Sequence, residues 1–90
     1  MDRAHDEEIA GVLRGLPIRL DDRLPGKHVA LITGFIDANE LGLALDQVAD
    51  VLSEDGLPLA RDERADILAL ADRMLVGDRV RYALSFCPER

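Results

Sequence analysis

The chain has 90 residues and a formal net charge of −7, with 48% hydrophobic but only 3% aromatic residues. That length allows one domain, 1–90, whose modest core must be Leu, Val, Ile and Ala, a composition suited to helix-on-helix packing. The single cysteine, Cys87, excludes an internal disulfide, no apolar run approaches the roughly 18 residues of a membrane span, and the acidic N-terminus lacks a secretory signal, so a cytoplasmic protein is expected.

The charge is unevenly placed. Residues 37–66 hold nine acids and two bases, a net −7, while residues 1–36 sum to −1 and residues 67–90 to +1. A field of that sign repels nucleic acid and anionic membrane and attracts basic proteins. Acidic helix faces are also commonly plain solvated surface.

The first helix is expected from about Asp6 to Leu16, with Ile9, Val12, Leu13 and Leu16 at i, i+3, i+4, i+7 and Asp6, Glu7 and Glu8 in its first turn. Pro17 should help to end it. Ile18 and Leu20 flank Arg19, consistent with a short extended piece before an Asp21–Asp22 turn. Leu24-Pro25-Gly26-Lys27 ends in Gly-Lys but lacks the rest of a P-loop.

A second helix should run from near Lys27 to about Ala38. Val29, Ile32, Phe35 and Ile36 form its buried stripe, Leu31 broadens it, and Gly34 is a point where a neighbour could approach closely. Asn39 tolerates a left-handed backbone and suits the joint to the next helix. Asp37, Asn39 and Gly42 match three positions of an EF-hand loop, but Leu41 and Val48 fall where calcium needs oxygen ligands, so no metal is expected.

The third helix, Glu40 to Asp55, is the most informative. On a 3.6-residue wheel Leu41, Ala44, Leu45, Val48, Val51 and Leu52 share one apolar arc. Asp46, Asp50 and Glu54 follow one another at i, i+4, i+8 on the other side, where neighbouring like charges cost roughly 0.2–0.5 kcal/mol each. Glu54 and Asp55 lie at the negative end of the helix dipole with no Lys or Arg in the last turn to offset them. Gly56 is a good left-handed cap, and Leu57 can fold back onto the last turn.

The fourth helix is expected from about Arg61 to Val76, with Ile67, Leu70, Ala71 and Met74 toward the core, Leu68 and Leu75 at the edge, and Asp62 and Asp66 outside. Gly77 and Asp78 should break the pattern. In residues 79–86 Val80, Tyr82, Leu84 and Phe86 alternate with Arg79, Arg81, Ala83 and Ser85, which fits a short strand. Val80, Ala83 and Leu84 equally fit a short helix, favoured because a lone strand leaves an unpaired edge. The fold class is therefore all-α, a small four-helix bundle, or five-helix if residues 79–86 join it.

His5, His28 and Cys87 are scattered and sit in no catalytic motif, and carboxylates on exposed helix faces lack the desolvation that tunes a general acid. No catalytic residues, cofactor or enzyme activity are expected. An acidic helix entering a groove also argues against a DNA-reading helix pair.

Residues 35–74 resemble the core of the MafI-type immunity proteins of bacterial polymorphic toxin systems. The matching features are Phe35-Ile36-Asp37, a small turn, Glu40, Leu43-Ala44-Leu45, Leu52 and Glu54, then a Pro58-Leu59-Ala60-Arg61-Asp62-Glu63 opening and the Leu70–Met74 helix. Asn39 stands where such turns commonly have Gly, Ala60 where Ser would cap the fourth helix, and the tail after Met74 has no counterpart. The resemblance implies a non-enzymatic protein that occupies the active or substrate-binding surface of a cognate toxin. A nuclease-type toxin is basic there, so an acidic inhibitor would match it. Glu40, Ala44, Leu45 and Leu52 would be family-motif positions.

The wheel supplies a contact for such a partner. Leu43 falls on the outer face with Asp46 and Asp50, away from the core arc, like an interface anchor within a polar rim, although an exposed Leu or one covered by the tail fits as well. The expected toxin-binding face is Leu43, Asp46, Asp50, Glu54 and Asp55, with Asp62 and Asp66 alongside. The alternative is a homo-oligomeric helical interaction module, a homodimer in the simplest case, in which Leu43 and the C-terminal apolar residues meet a second copy.

Overall fold

The computed structural model describes residues 3–90, and the fold is all-α, as expected. Five helices follow in order: α1 (Arg3–Arg19), α2 (Gly26–Asp37), α3 (Leu41–Glu54), α4 (Arg61–Arg73) and α5 (Gly77–Leu84). Residues 79–84 are therefore helical, and α5 is a fifth helix. Among the described residues no helix is long and apolar enough to cross a membrane. By internal contacts the chain divides into residues 1–47 and 48–90, the division falling inside α3.

In the first unit α1 buries Ile9, Leu13 and Leu16 on one side, and Val12 stays 40% exposed. The helix does not stop at Leu16. It passes through Pro17, which is itself buried, to Arg19. Proline removes one N–H and crowds the preceding turn, but the helix ends within a turn and Leu20 N–H still reaches the Leu16 carbonyl at 2.9 Å. The extended piece expected at 18–20 is thus helix end and turn, with Leu20 fully buried. Arg23 and Leu24 N–H groups both donate to the Leu20 carbonyl at 2.9 Å, closing the turn.

On α2, which packs against α1, Ile32 and Ile36 are buried while Val29 and Phe35 are only half-buried, and Leu31 is exposed rather than broadening the stripe. Nothing lies within 4 Å of a Cβ placed on Gly34, so no neighbour approaches it closely. Asn39 takes φ 59°; its N–H donates to Ile36 O at 3.0 Å and that of Glu40 to Phe35 O at 2.8 Å. These two bonds form a Schellman cap that satisfies the last carbonyls of α2.

In the second unit the same motif recurs twice. Gly56 has φ 57°, its N–H donates to Ser53 O at 3.3 Å and that of Leu57 to Leu52 O at 2.9 Å. At the end of α4 the left-handed residue is Leu75, φ 64°, with its N–H on Asp72 O at 3.1 Å and that of Val76 on Ala71 O at 2.9 Å. The break after α4 therefore comes at Leu75, not at Gly77, and Leu75 is 91% exposed rather than at the core edge. Gly77 instead opens α5, where a Cβ would collide with the Asp72 carboxylate.

At the start of α4 the Glu63 carboxylate accepts the Ala60 N–H at 2.8 Å. Ala60 has no hydroxyl to return the bond, so only half of a capping box is made. Ile67, Leu70 and Ala71 form the core side of α4, and Val80 and Leu84 that of α5. Arg64 ties the two helices: its Nη1 and Nη2 donate to the carbonyls of Leu84 at 2.6 Å and Cys87 at 2.5 Å. The tail then lies beside Leu59, whose N–H donates to Pro88 O while Arg90 N–H donates to Leu59 O, both at 2.9 Å. This isolated parallel bridge is the nearest approach to a strand among the described residues. Cys87 is buried; burial pushes the thiol pKa up and the Arg64 charge partly opposes this.

Candidate partner-binding face

α3 separates its two sides cleanly. Leu41, Ala44, Leu45, Val48, Val51 and Leu52 are all buried, and this arc fixes which residues of the same helix must face outward. Leu43 is 48% exposed, between exposed Gly42 and buried Ala44. A half-exposed Leu on a helix whose other exposed residues are Gly and acids is the most distinctive apolar atom group of this face.

The acids differ from one another. Asp50, Glu54 and Asp55 are exposed, and among the described residues their carboxylates have no hydrogen-bond or ion-pair partner. The Asp50 backbone carbonyl accepts from Ser53 Oγ at 3.1 Å, which leaves the carboxylate to solvent. Glu54 is the last residue of α3 and Asp55 its cap, with no base in the last turn, so both charges sit at the negative helix end. Asp46 is half-buried and already has a polar or electrostatic partner. Asp62 and Asp66, on α4 of the second unit, are exposed and likewise partnered. Of the seven expected contact residues, Leu43, Asp50 and Glu54 on α3 and Asp55 at its cap are thus exposed, and the three acids among them have no partner among the described residues.

The remaining positions have structural roles. Ala44, Leu45 and Leu52 are fully buried core residues. Glu40 is exposed, its N–H closing the α2 cap and its carbonyl accepting from Ala44 N–H at 3.0 Å. His28 is half-buried, its Nδ1 at 3.1 Å from Gln47 Nε2. Asp37 pairs with Arg14 at 2.8 Å and Asp22 with Arg23 at 2.9 Å. Among the described residues no group of three or more His, Cys, Asp or Glu side chains is placed to hold a metal ion.

A second exposed feature escaped the reading of the sequence. Tyr82 and Phe86 are 71% and 55% exposed, and their rings meet edge to face, centroids 5.3 Å apart at 87°. A wheel over residues 77–86 would have shown it, since Val80 and Leu84 fall on one side and Tyr82 and Phe86 on the other. Strand alternation puts all four on the same side and so conceals the pair. Comparison with protein-family models, curated proteins and solved structures gives no match.

Proposed function

We propose that this chain is a non-enzymatic immunity protein of the MafI type, neutralising a basic, nuclease-type bacterial toxin through the outer face of α3. The observation that carries the reading is the exposed Leu43 on α3 together with three acids, Asp50 and Glu54 on the same helix and Asp55 at its cap, whose carboxylates have no partner among the described residues. A half-exposed apolar side chain is an anchor for a partner surface, and acids without partners form the rim that steers a basic protein toward it. Two of these acids sit where the helix dipole disfavours them, so stability does not account for their placement.

Co-expression with the toxin encoded beside this gene tests the reading. Cells survive with the native chain, and Leu43→Lys combined with Asp50→Lys abolishes both rescue and the complex recovered from the cells. Death in the presence of the folded native chain would overturn it.

A further inference from the structure

Residues 87–90 pair with Leu59 in the joint between α3 and α4, and little apolar surface holds them there. Cys87 is buried, but Pro88, Glu89 and Arg90 are all exposed. The ties of this segment to the body are polar. They include the Arg64 bond to the Cys87 carbonyl at 2.5 Å and the two backbone bonds exchanged with Leu59 at 2.9 Å. Glu89 adds an ion pair to Arg61 at 3.4 Å between two exposed side chains, a contact that contributes little in water.

The neighbouring helices are anchored differently. Ile67, Leu70 and Ala71 bury one side of α4, and Val80 and Leu84 bury one side of α5. Lifting residues 87–90 leaves all five of these side chains in place. A segment that buries few apolar atoms of its own and is held by polar groups near solvent opens at lower cost than a packed helix. Arg64 sits where such an opening would start. Its guanidinium forks over the carbonyls of Leu84, at the end of α5, and Cys87, the first residue of the segment. A rigid planar fork holds two acceptors at once, which an ammonium group does less well.

We infer that residues 87–90 form a strap that opens and closes as a unit while the helices stay folded, with Arg64 as its latch. Opening breaks both bonds to Leu59, frees the joint between α3 and α4 from its cover, and brings the Cys87 thiol to solvent. The thiol is then a group that the chain presents in the open state and withholds in the closed one. The device belongs to this chain alone and is independent of the function proposed for α3.

Cys87 is the single cysteine, so labelling of the full chain with dithionitrobenzoate reads the opening directly. The thiolate displaces thionitrobenzoate from the reagent disulfide, and the thiol proton goes to solvent. In the native chain labelling has a urea slope well below that of global unfolding, because opening exposes little surface. Arg64→Ala quickens it at least about tenfold, and Arg64→Lys falls between the two. Arg61→Ala, which removes the exposed ion pair, changes it less than about twofold. Hydrogen exchange of the native chain gives a readout that needs no variant. The Leu59 and Arg90 amides, whose bonds break together, show equal protection with the same small urea slope, below the protection of the Leu70 amide in the middle of α4. Labelling that proceeds only at the full slope of global unfolding overturns the inference, as do Leu59 and Arg90 amides protected as strongly as that of Leu70. A labelling rate unchanged by Arg64→Ala overturns it too.

Discussion

Leu75 is the residue at which local preference and observed backbone conflict. Three helices of this chain end in the same hydrogen-bonded cap, and the left-handed residue is Asn39 in the first, Gly56 in the second and Leu75 in the third. Asn and Gly announce such caps in a sequence because they tolerate positive φ, so the first two joints were legible and the third was not. Its leucine looked like one more helical apolar residue, which carried the expected end of α4 too far. Replacing Leu75 by Gly should stabilise the folded chain by about 1 kcal/mol, the strain relieved less the extra entropy of Gly when unfolded, seen as a higher urea midpoint at unchanged slope. Cys87 gives a second residue-scale prediction. Its thiol is held above the ordinary value of 9.0 by burial, so above that value the unfolded chain loses the proton while the folded chain keeps it. The folded state then binds more protons, and stability falls as pH rises. Cys87→Ala should flatten this alkaline decline in denaturant titrations, and an identical decline in both chains would show that burial of the thiol is not its source.

At the scale of elements, helical periodicity located α2, α3 and α4 because each repeats its apolar residues over two turns or more, within helices of 12 to 14 residues. α5 has only eight residues, and over so short a span two-residue and 3.6-residue periods fit the same apolar positions. Besides the burial of Val80 and Leu84, α5 is held by Arg64, a polar residue that periodicity does not register. Its guanidinium satisfies the carbonyls of Leu84 and Cys87 at the negative end of α5. Arg64→Ala should cost about 2–3 kcal/mol, from two charge-assisted hydrogen bonds, and should speed the reaction of Cys87 with a thiol reagent under native conditions. α3 permits a test in the opposite direction. Changing Glu54 and Asp55 to Lys puts positive charge at the negative helix end and should add about 0.3–1 kcal/mol per residue, raising the melting temperature. The same pair should weaken the toxin complex. A variant that is more stable yet binds as tightly as the native chain would remove Glu54 and Asp55 from the interface.

For the whole molecule, the distribution of charge was fully legible in the sequence, whereas the state of each charge was not. Asp37 and Asp22 look like Asp50 in the sequence, yet the first two are paired with Arg14 and Arg23 and the last has no partner among the described residues. Pairing depends on local turn geometry for Asp22, whose partner is the next residue, and on the packing of α1 against α2 for Asp37, and only the unpaired acids extend the field of the chain into solvent. That field acts over distances set by the ionic atmosphere, roughly 8 Å at physiological salt and 3 Å at 1 M, so its influence falls mainly on encounter. Short-range contacts such as that of Leu43 act after encounter and are scarcely screened. The two contributions should therefore separate in rate measurements on the proposed toxin complex. Raising salt should slow association by an order of magnitude or more while leaving dissociation nearly unchanged. Leu43→Ala should do the reverse, with dissociation faster at every salt concentration and the slope of association rate against salt unaltered. An association rate indifferent to salt would mean that the acids of α3 do not steer the partner, and would leave Leu43 alone to account for binding.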